Sequence, residues 1–242
     1  MTVLEAINIS RFFGGLAAVN KVSFQVQTGE IVGLIGPNGA GKTTVFNLIN
    51  NYYPLSSGDV IFYGEKISGL PTHQICRKGI ARTFQVVKPF RRMSVLENVM
   101  TSAFLRYPAT EKAREKARWC LEYTGLSAFQ NTLGRSLPLG QRKRLEIARA
   151  LATEPKLMLL DETCAGLNPS ELNEAIAIIQ QINKELGIAI IIIEHHMKVM
   201  MSLSDRIVVL HHGEKISEGT PQQVGNDPQV IEAYLGEQYA AG

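Results

Sequence analysis

A glycine-rich loop between a predicted strand and a predicted helix restricts the fold of this chain more than any other feature. Residues 30–35 form a short, β-branched apolar run, typical of a buried strand, and residues 43–51 follow as a predicted helix. The connecting residues 36–43 read Gly-Pro-Asn-Gly-Ala-Gly-Lys-Thr and match the pattern G-x-x-x-x-G-K-(S/T). This context predicts a phosphate-binding loop at the end of a sheet strand.

The chemistry of such a loop favours a nucleoside triphosphate as the ligand. Glycines allow backbone N–H groups to turn inward around an anion, and the start of the next helix adds partial positive charge. We expect the Lys42 ammonium to reach the β- and γ-phosphates and the Thr43 hydroxyl to hold Mg²⁺. The other loop residues predicted to contact the nucleotide are Gly36, Pro37, Asn38, Gly39, Ala40, Gly41 and Thr44. The alternative, a glycine-rich turn that matches by chance, is disfavoured by the flanking strand and helix.

Apolar runs alternate with helical segments in much of the remaining chain. Helical spacing over residues 171–186 ends at Gly187, where a C-cap glycine belongs. The other predicted strands are residues 60–63, 157–160, 188–193 and 207–210. Continuous apolar strands that alternate with helices predict an α/β fold with a mainly parallel sheet covered on both faces. Residues 3–9 and 22–26 instead alternate apolar with polar side chains, which suits an antiparallel sheet beside that core.

A helical segment interrupts the α/β alternation. From about residue 89 to residue 152 strand-like runs are few. The predicted helices there are residues 95–100, 111–123 and 141–152. We therefore expect a single domain over residues 1–242, in which residues 1–88 and 153–242 form the core with the nucleotide site and residues 89–152 form an inserted helical lobe.

Composition excludes several classes of protein. Of the 242 residues, 45% are apolar and 19% charged, which fits a folded domain rather than a disordered segment. The longest aliphatic run, residues 188–193, is much shorter than the roughly 20 residues that a membrane-spanning helix needs, and the N-terminus lacks the pattern of a secretory signal. A net charge of +3 is too small to indicate nucleic-acid binding. The three scattered cysteines disfavour a disulfide framework and a zinc site, and favour a reducing, cytoplasmic compartment.

Polar residues with suitable chemistry follow two of the predicted strands. Asp161 and Glu162 come directly after a buried strand, at the end where parallel sheets bind ligands. Asp161 suits the Mg²⁺ shell, and Glu162 suits the polarisation of a water molecule against the γ-phosphate. The strand predicted at residues 188–193 leads to two histidines, His195 and His196, one of which could contact the γ-phosphate. The residues alone leave open which histidine faces the ligand.

The order of these motifs resembles the ATP-binding subunits of ABC transporters over essentially the whole chain. In this resemblance residues 36–44 are the Walker A loop, Asp161 and Glu162 end the Walker B strand with Glu162 as catalytic glutamate, and His195 is the switch histidine. Gln85, in a run Arg-Thr-Phe-Gln, matches the Q-loop glutamine, which is a ligand of Mg²⁺ and water and senses the membrane subunit. The resemblance implies a P-loop NTPase that binds ATP with Mg²⁺ and hydrolyses the ATP.

Three further motifs of the family have counterparts, two of them altered. Phe13, which two glycines follow, resembles the aromatic loop whose ring stacks on adenine, and Asn168 lies in the D-loop, where many members have Asp. The signature, usually L-S-G-G-Q, is represented by Leu137, Pro138, Leu139, Gly140 and Gln141. The resemblance implies that these residues contact the ATP of a partner subunit. Because Pro138 has neither hydroxyl nor N–H, the usual Ser contact with that γ-phosphate is missing.

Secondary motifs make the resemblance closest to the ATPases of branched-chain, hydrophobic amino-acid importers. These motifs are residues 144–151, 165–169, 194–197 and 232–236. Importers of urea or short amides share them, as does, more distantly, the ATPase of lipopolysaccharide export, so these functions stay as alternatives. A non-transport ATPase of the same fold, acting on ribosomes or DNA, is disfavoured by the single phosphate loop.

The resemblance also implies partners and a location. The chain would pair with a second ABC ATPase subunit, which is either a second copy or a paralogue. It would work with two integral-membrane permease subunits and a solute-binding protein, at the cytoplasmic face of the inner or plasma membrane. No nucleic-acid partner is expected.

Each of two other segments has a functional and a purely structural interpretation. Arg142, Lys143 and Arg144 form a basic run on the predicted signature helix, which we interpret as a solvated helix face because the run is short. Val86 and Val87, followed by Pro89 and Phe90, form an apolar stretch after Gln85. This stretch is either core or, as the resemblance implies, part of a groove that receives a helix of a membrane subunit.

Overall fold

The structure is a computed structural model and describes residues 1–240. Its strands are β1 (Thr2–Phe13), β2 (Leu16–Gln27), β3 (Ile31–Ile35), β4 (Ser57–Phe62), β5 (Glu65–Lys66), β6 (Ile80–Arg82), β7 (Leu157–Asp161), β8 (Ala189–Ile193), β9 (Arg206–His211) and β10 (Glu214–Gly219). Its helices are α1 (Lys42–Ile49), α2 (Thr72–Lys78), α3 (Val95–Ala103), α4 (Thr110–Tyr123), α5 (Leu139–Leu151), α6 (Pro169–Leu186), α7 (Met197–Leu203), α8 (Pro221–Gly225) and α9 (Pro228–Ala240). No helix within residues 1–240 is both long and apolar enough to cross a membrane.

The central sheet places the ends of three strands side by side. Its order is β10-β9-β3-β8-β7-β6, and every neighbouring pair is parallel except the edge pair of β10 and β9. The mainly parallel sheet that the apolar runs predict is therefore confirmed. Because β3, β8 and β7 are parallel neighbours, their carboxyl ends meet at one edge of the sheet.

Both faces of the central sheet are covered by apolar cores. Along β3, Ile31 and Ile35 face a core shared with helices, whereas Val32 and Leu34 face a core shared with the second sheet. Successive side chains of a strand point to opposite faces, so one buried strand contributes to both cores. A near-continuous apolar run is the sequence consequence of this two-sided burial.

The second sheet is antiparallel and has the order β2-β1-β4-β5. It confirms the predicted N-terminal antiparallel sheet, although β1 and β2 are longer than the alternation of side chains indicates. The register of β1 against β2 shifts between Ala6 and Ile9, around Asn8 with its φ of 47°. Such a bulge moves side chains to the other face, so the strict alternation of residues is lost there.

Strand β4 corrects one expectation about the central sheet. Residues 60–63 were expected among the strands of the parallel core, but β4 pairs antiparallel with β1, with Val60 opposite Ala6. Tyr63 and Gly64 both have positive φ, at 48° and 78°, and turn the chain back so that β5 pairs with β4. A two-residue turn of this kind connects antiparallel strands, whereas a parallel connection needs a crossover of a dozen residues or more.

The segment between β6 and β7 is mainly helical, as predicted. Helices α3, α4 and α5 share a core that includes Val99, Ala117 and Leu145. Helix α5 begins at Leu139 and not at residue 141, because Pro138 occupies its N-cap with φ −60° and ψ 166°. Proline is tolerated at a helix start because the first N–H groups have no partner inside the helix.

Local capping decides other helix ends. Helix α6 starts before the predicted residue 171, because Asn168 and Glu171 form a capping box. It ends at Gly187 with φ 65°, as the sequence predicts. Helix α1 ends at Ile49 rather than at residue 51, since Asn51 has left the helical region with φ 51°.

Candidate nucleotide site

The loop between β3 and α1 has a backbone that favours glycine at two positions. Gly36 has φ 147°, and a Cβ there would lie 2.1 Å from the Leu210 carbonyl oxygen. Gly41 caps α1 with φ 103°, and a Cβ there would lie 2.5 Å from the Ala18 carbonyl oxygen. A side chain at either position would be strained and would clash with backbone. The loop therefore leads directly into a helix N-terminus, where partial positive charge favours an anion.

Lys42 is buried within this loop although its side chain carries a charge. The residue is 7% exposed, and its Nζ donates to the carbonyl oxygens of Gly36 and Pro37 at 2.6 and 2.7 Å. The ammonium is thereby held across the loop by the backbone of the loop itself. Phosphate oxygens are charged acceptors and bind an ammonium more strongly than carbonyl oxygens do, so an anion in the loop would attract this group.

One cleft brings the loop together with the predicted hydrolysis residues. Its volume is about 300 Å³, and it is lined by residues 38–44, Glu162, His195, residues 16–18 and His212. Residues 38–44, Glu162 and His195 follow the carboxyl ends of β3, β7 and β8, respectively, as the order of the strands requires. Residues 16–18 and His212 were not predicted, since no motif marks them and only the folding of β2 and β9 beside the loop places them there.

Two side chains hold the Glu162 carboxylate. Gln85 Nε2 donates to Glu162 Oε2 at 2.7 Å, and His195 Nε2 lies 2.9 Å from Glu162 Oε1. A carboxylate only accepts, so the His195 nitrogen is the donor, and each oxygen keeps a further lone pair for a water molecule. Of the two adjacent histidines, His195 thus meets Glu162, whereas His196 occupies the N-cap of α7.

The backbone of Glu162 has an uncommon conformation. Its φ is 49°, in the left-handed region that residues with a side chain seldom occupy. The Glu162 N–H donates to the Ile193 carbonyl oxygen at 2.9 Å, which ties the end of β7 to the end of β8. Backbone strain of this kind persists only where the surroundings hold it, and it is concentrated at functional sites.

Lys143 is buried, so the interpretation of its basic run as a solvated helix face is wrong for this residue. It is 5% exposed, and its Nζ donates to the carbonyl oxygens of Glu162 at 2.7 Å and Gln85 at 3.3 Å. Its neighbours Arg142 and Arg144 are half-buried. A charged side chain of α5 therefore reaches the backbone behind the candidate hydrolysis residue, a contact that the sequence analysis missed.

Asp161 is held by a buried ion pair. Arg82 donates from Nη2 to Asp161 Oδ2 at 2.8 Å and from Nη1 to Asn47 Oδ1 at 2.6 Å. Burial raises the pKa of the Asp161 carboxyl, and the Arg82 guanidinium opposes that rise. The other oxygen, Asp161 Oδ1, is buried and has no hydrogen-bond partner among the described residues. A buried acceptor without a partner is costly, so this position suits a cation.

The three residues predicted to hold Mg²⁺ line one cavity. Thr43, Gln85 and Asp161 are on the wall of a cavity of about 620 Å³ that also touches α5. Thr43 lines the loop cleft as well, so both spaces border this residue. Hydroxyl, amide and carboxylate oxygens are the ligand types that Mg²⁺ takes in proteins. Together with the unpartnered Asp161 Oδ1, this set of oxygens fits the ion.

Two groups of predicted nucleotide contacts lie outside both cavities. Phe13 ends β1, and its ring packs edge-on against Tyr53 at 5.3 Å between centroids, with the Arg11 guanidinium 4.7 Å from the ring centroid. Residues 137–141 line neither cavity, and Leu139 is 45% exposed. The adenine contact of Phe13 and the contact of the signature with a partner's nucleotide stay predictions.

Comparison with known proteins agrees with the geometry. The family model described as ABC transporter matches residues 19–165, and that of the branched-chain amino acid ATP-binding cassette transporter matches residues 214–240. The high-affinity branched-chain amino acid transport ATP-binding protein BraF of Pseudomonas aeruginosa is 42% identical, over 97% of this chain and 98% of its own. The lipopolysaccharide export system ATP-binding protein LptB of Haemophilus influenzae is 39% identical over 99% of both chains.

Solved structures show the same fold. The ADP conformation of an ATP-binding cassette of an ABC transporter matches with a TM-score of 0.88 at 32% identity, covering 98% of this chain and 99% of that one. A dimeric bacterial ABC transporter cassette matches with a TM-score of 0.82 at 26% identity, covering 90% and 98%. With a family model over more than half of its length and near full-length relatives, this chain belongs to the ABC transporter family as an ATP-hydrolysing, ATP-binding subunit of the group that includes the branched-chain amino acid transport ATP-binding proteins.

Proposed function

We propose that this chain powers the import of branched-chain or other hydrophobic amino acids, by closing with a second ATPase subunit on ATP and reopening after hydrolysis. The observation that carries the proposal is the meeting of the phosphate loop, Glu162 and His195 in one cleft. For the cargo, support comes from residues 214–240, which match the branched-chain model and lie outside the general cassette match.

The hydrolysis step follows from the contacts in the cleft. Lys42 and the N-terminus of α1 hold the β- and γ-phosphates of ATP. Glu162 takes a proton from a water molecule whose oxygen attacks the γ-phosphorus, and the bond to the bridging oxygen breaks to give ADP and phosphate. His195 would turn the Nε2–H that now meets Glu162 towards a γ-phosphate oxygen when ATP is bound.

Thr43, Asp161 and Gln85 would hold Mg²⁺ beside the phosphates. The ion would supply positive charge that neutralises the phosphate oxygens. Arg82 occupies one oxygen of Asp161 and leaves the buried Oδ1 for the ion. The ion pair with Arg82 thus sets which oxygen of the carboxylate is available.

The signature is proposed to act on the ATP of the partner subunit. Residues 137–141 line neither cavity of their own chain, and a dimeric cassette is among the solved structures of the same fold. Pro138 supplies no donor and Leu139 adds an exposed side chain at the start of α5, so Gly140, Gln141 and the helix N-terminus are left to make the contact. We expect this composite site to be the weaker one in a dimer.

The complete assembly is proposed to contain two integral-membrane permease subunits and a solute-binding protein, which selects the cargo. The chain would bind peripherally at the cytoplasmic face of the inner or plasma membrane. The cavity of about 620 Å³ between the core and α5 suits a permease segment, since Tyr52, Phe84 and Val86 on its wall are exposed apolar residues. Lys88 adds an exposed cationic group to the same wall.

Val86→Asp is expected to weaken binding of the permease without damaging the ATPase fold. Val86 is 64% exposed, so a carboxylate there costs little folding free energy but would be buried on an apolar helix of the permease. Co-purification of the permease subunits with the tagged ATPase measures the effect. Binding of ATP by the isolated chain should stay as in the wild type.

Ile231→Asp is the matched control for this experiment. Ile231 is 45% exposed on α9 and lines neither cavity. Retained co-purification of Val86→Asp at the wild-type level, or equal loss in both variants, would contradict the proposed docking at this cavity. Unfolding of Val86→Asp, followed by circular dichroism, would show instead that the residue belongs to the core.

The cargo is tested by uptake in a host strain from which the gene has been deleted. Restoring the wild-type chain should restore uptake of radiolabelled leucine, whereas restoring Glu162→Gln should not, because closure without hydrolysis does not reset the transporter. Uptake of labelled urea is measured in the same cells. Restored uptake of urea with unchanged leucine uptake would favour the amide importer, which is the first alternative.

Lipopolysaccharide export is the second alternative, and it is supported by sequence similarity. LptB is nearly as similar to this chain as BraF is, at 39% against 42% identity. The match of residues 214–240 to the branched-chain model favours import. A deletion strain that loses its outer-membrane lipopolysaccharide and keeps leucine uptake would reverse this preference.

A further inference from the structure

Lys143 connects the signature helix to two residues, Gln85 and Glu162, whose side chains are hydrogen-bonded to each other beside the nucleotide cleft. From α5 its Nζ donates to the carbonyl oxygen of Glu162 at 2.7 Å and to that of Gln85 at 3.3 Å. The same two residues are joined through their side chains, by Gln85 Nε2 donating to Glu162 Oε2 at 2.7 Å. One ammonium thus holds the main chain on both sides of that contact.

The burial of this ammonium needs an explanation. Lys143 is 5% exposed and forms no ion pair of 4.0 Å or less with the residues that the structure describes, although its charge opposes the rise in pKa that burial causes at Glu146, Asp161 and Glu194. Removing a charge from water costs free energy, and two neutral carbonyl oxygens replace only part of its hydration. An apolar side chain of similar volume would fill the space at lower cost. The nearby carboxylates offset part of the cost of burying the charge, but the direct hydrogen bonds of the ammonium go to the two carbonyl groups, which points to a role there.

Glu162 is a residue whose backbone needs such support. Its φ of 49° lies in the left-handed region, which is held only by surrounding contacts. Three contacts hold it: the Glu162 N–H donates to the Ile193 carbonyl oxygen at 2.9 Å, and the Glu162 carbonyl oxygen accepts from Lys143 Nζ at 2.7 Å and from the Ala165 N–H at 3.2 Å. Rotation of this peptide would move the carboxylate away from both Gln85 and His195.

We propose that Lys143 is a positioning residue for ATP hydrolysis, which holds the Glu162 carboxylate in its working orientation and links that orientation to the position of helix α5. The proposal rests on the proposed role of Glu162 as the base. Lys143 lines neither the loop cleft nor the larger cavity, so it acts through Glu162 and not on the nucleotide. Since α5 begins at the signature, a shift of α5 on pairing with a partner subunit would reach Glu162 through this contact.

Three variants of the full-length chain test the role of the ammonium. Lys143→Met removes the donors at similar volume, Lys143→Arg keeps a charge and donors, and Arg144→Met removes a neighbouring charge that pairs with Glu174. For Lys143→Met we expect kcat for ATP hydrolysis to fall about 10- to 100-fold, the scale of a displaced catalytic group. The Kd for ATP, measured by titration, should change less than about threefold. Lys143→Arg should recover most of kcat, and Arg144→Met should keep it.

A double-mutant cycle separates positioning from general structural damage. In a Glu162→Gln background Lys143→Met should have little further effect, because no carboxylate is left to position. An equal fall of kcat in both backgrounds, or a kcat of Lys143→Met within about twofold of the wild type, overturns the proposal. Full turnover of Glu162→Gln overturns the base assignment together with this proposal, so the two failures are distinguished. If Lys143→Met does not fold, Lys143→Gln gives the same measurement, because its side chain is one bond shorter than that of lysine and its amide nitrogen does not reach the carbonyl oxygens.

Discussion

Replacing Glu162 by Gln should leave ATP binding nearly unchanged and lower the rate of hydrolysis by about 10²-fold or more, the scale of a lost general base. The amide keeps the shape of the side chain but cannot take a proton from water. It also has a single acceptor oxygen, so either Gln85 or His195, which both donate to Glu162, loses its acceptor. Nucleotide titration and steady-state phosphate release on one preparation measure the two effects separately.

The adjacent histidines provide the matched control for this experiment. His195→Ala removes the ring that lies 2.9 Å from Glu162 Oε1 and should also reduce turnover strongly. His196→Ala alters the exposed N-cap of α7, where the ring makes no capping hydrogen bond, and should keep the wild-type rate. Full turnover of Glu162→Gln would refute its role as the base. Loss of turnover in His196→Ala but not in His195→Ala would mean that the wrong histidine has been assigned.

Lys42→Ala should abolish measurable ATP binding. An ammonium makes charge-assisted hydrogen bonds, each of about 1.5–3 kcal/mol, so the loss of contacts to two phosphates corresponds to a rise in Kd of at least about 10²-fold. The expectation depends on the buried position of Lys42 in the loop, where the carbonyl oxygens of Gly36 and Pro37 accept hydrogen bonds from its ammonium group. Isothermal titration with ATP measures Kd.

A lysine on the surface serves as the control for the loss of one positive charge. Lys66 pairs with Asp59, and both side chains are largely exposed. Exposed ion pairs contribute about 0–1 kcal/mol to stability, so Lys66→Ala should keep both the fold and the wild-type Kd. Wild-type affinity for ATP in Lys42→Ala would contradict the assignment of the loop as the nucleotide site.

Motifs that combine a short pattern with a strand-to-helix context could be predicted without a structure. The loop at residues 36–43 is an example, because its glycines and its lysine are needed locally, whatever packs around them. Asp161 and Glu162 are another example, because they come at the end of an apolar run. The carboxyl end of a parallel strand lies at the edge of the sheet where ligands bind. Such predictions hold because the chemistry depends on neighbours in sequence.

No comparable local pattern predicts the pairing of β4 or the contacts of Lys143. The pairing of β4 with β1 depends on contacts between residues that are far apart in the chain, such as Val60 opposite Ala6. For Lys143 a weak signal existed, since the spacing from Gly140 and to Ile147 places all three residues on one helix face, which is buried. A lysine on such a face is usually read as an exposed residue, because a buried charge is costly unless specific acceptors are present.

By itself the sequence determined the phosphate loop, the apolar strands and the residues at their carboxyl ends, since each depends on local backbone geometry and on burial of short runs. Only the tertiary structure decided that His195, rather than His196, meets Glu162, that Arg82 pairs with Asp161, and that Lys143 binds two backbone carbonyl oxygens. The physical reason is that these contacts join different strands and helices, whose relative positions are set by packing of the whole core. Hydrogen bonds of about 3 Å are sensitive to small differences in that packing, which no local pattern of residues encodes.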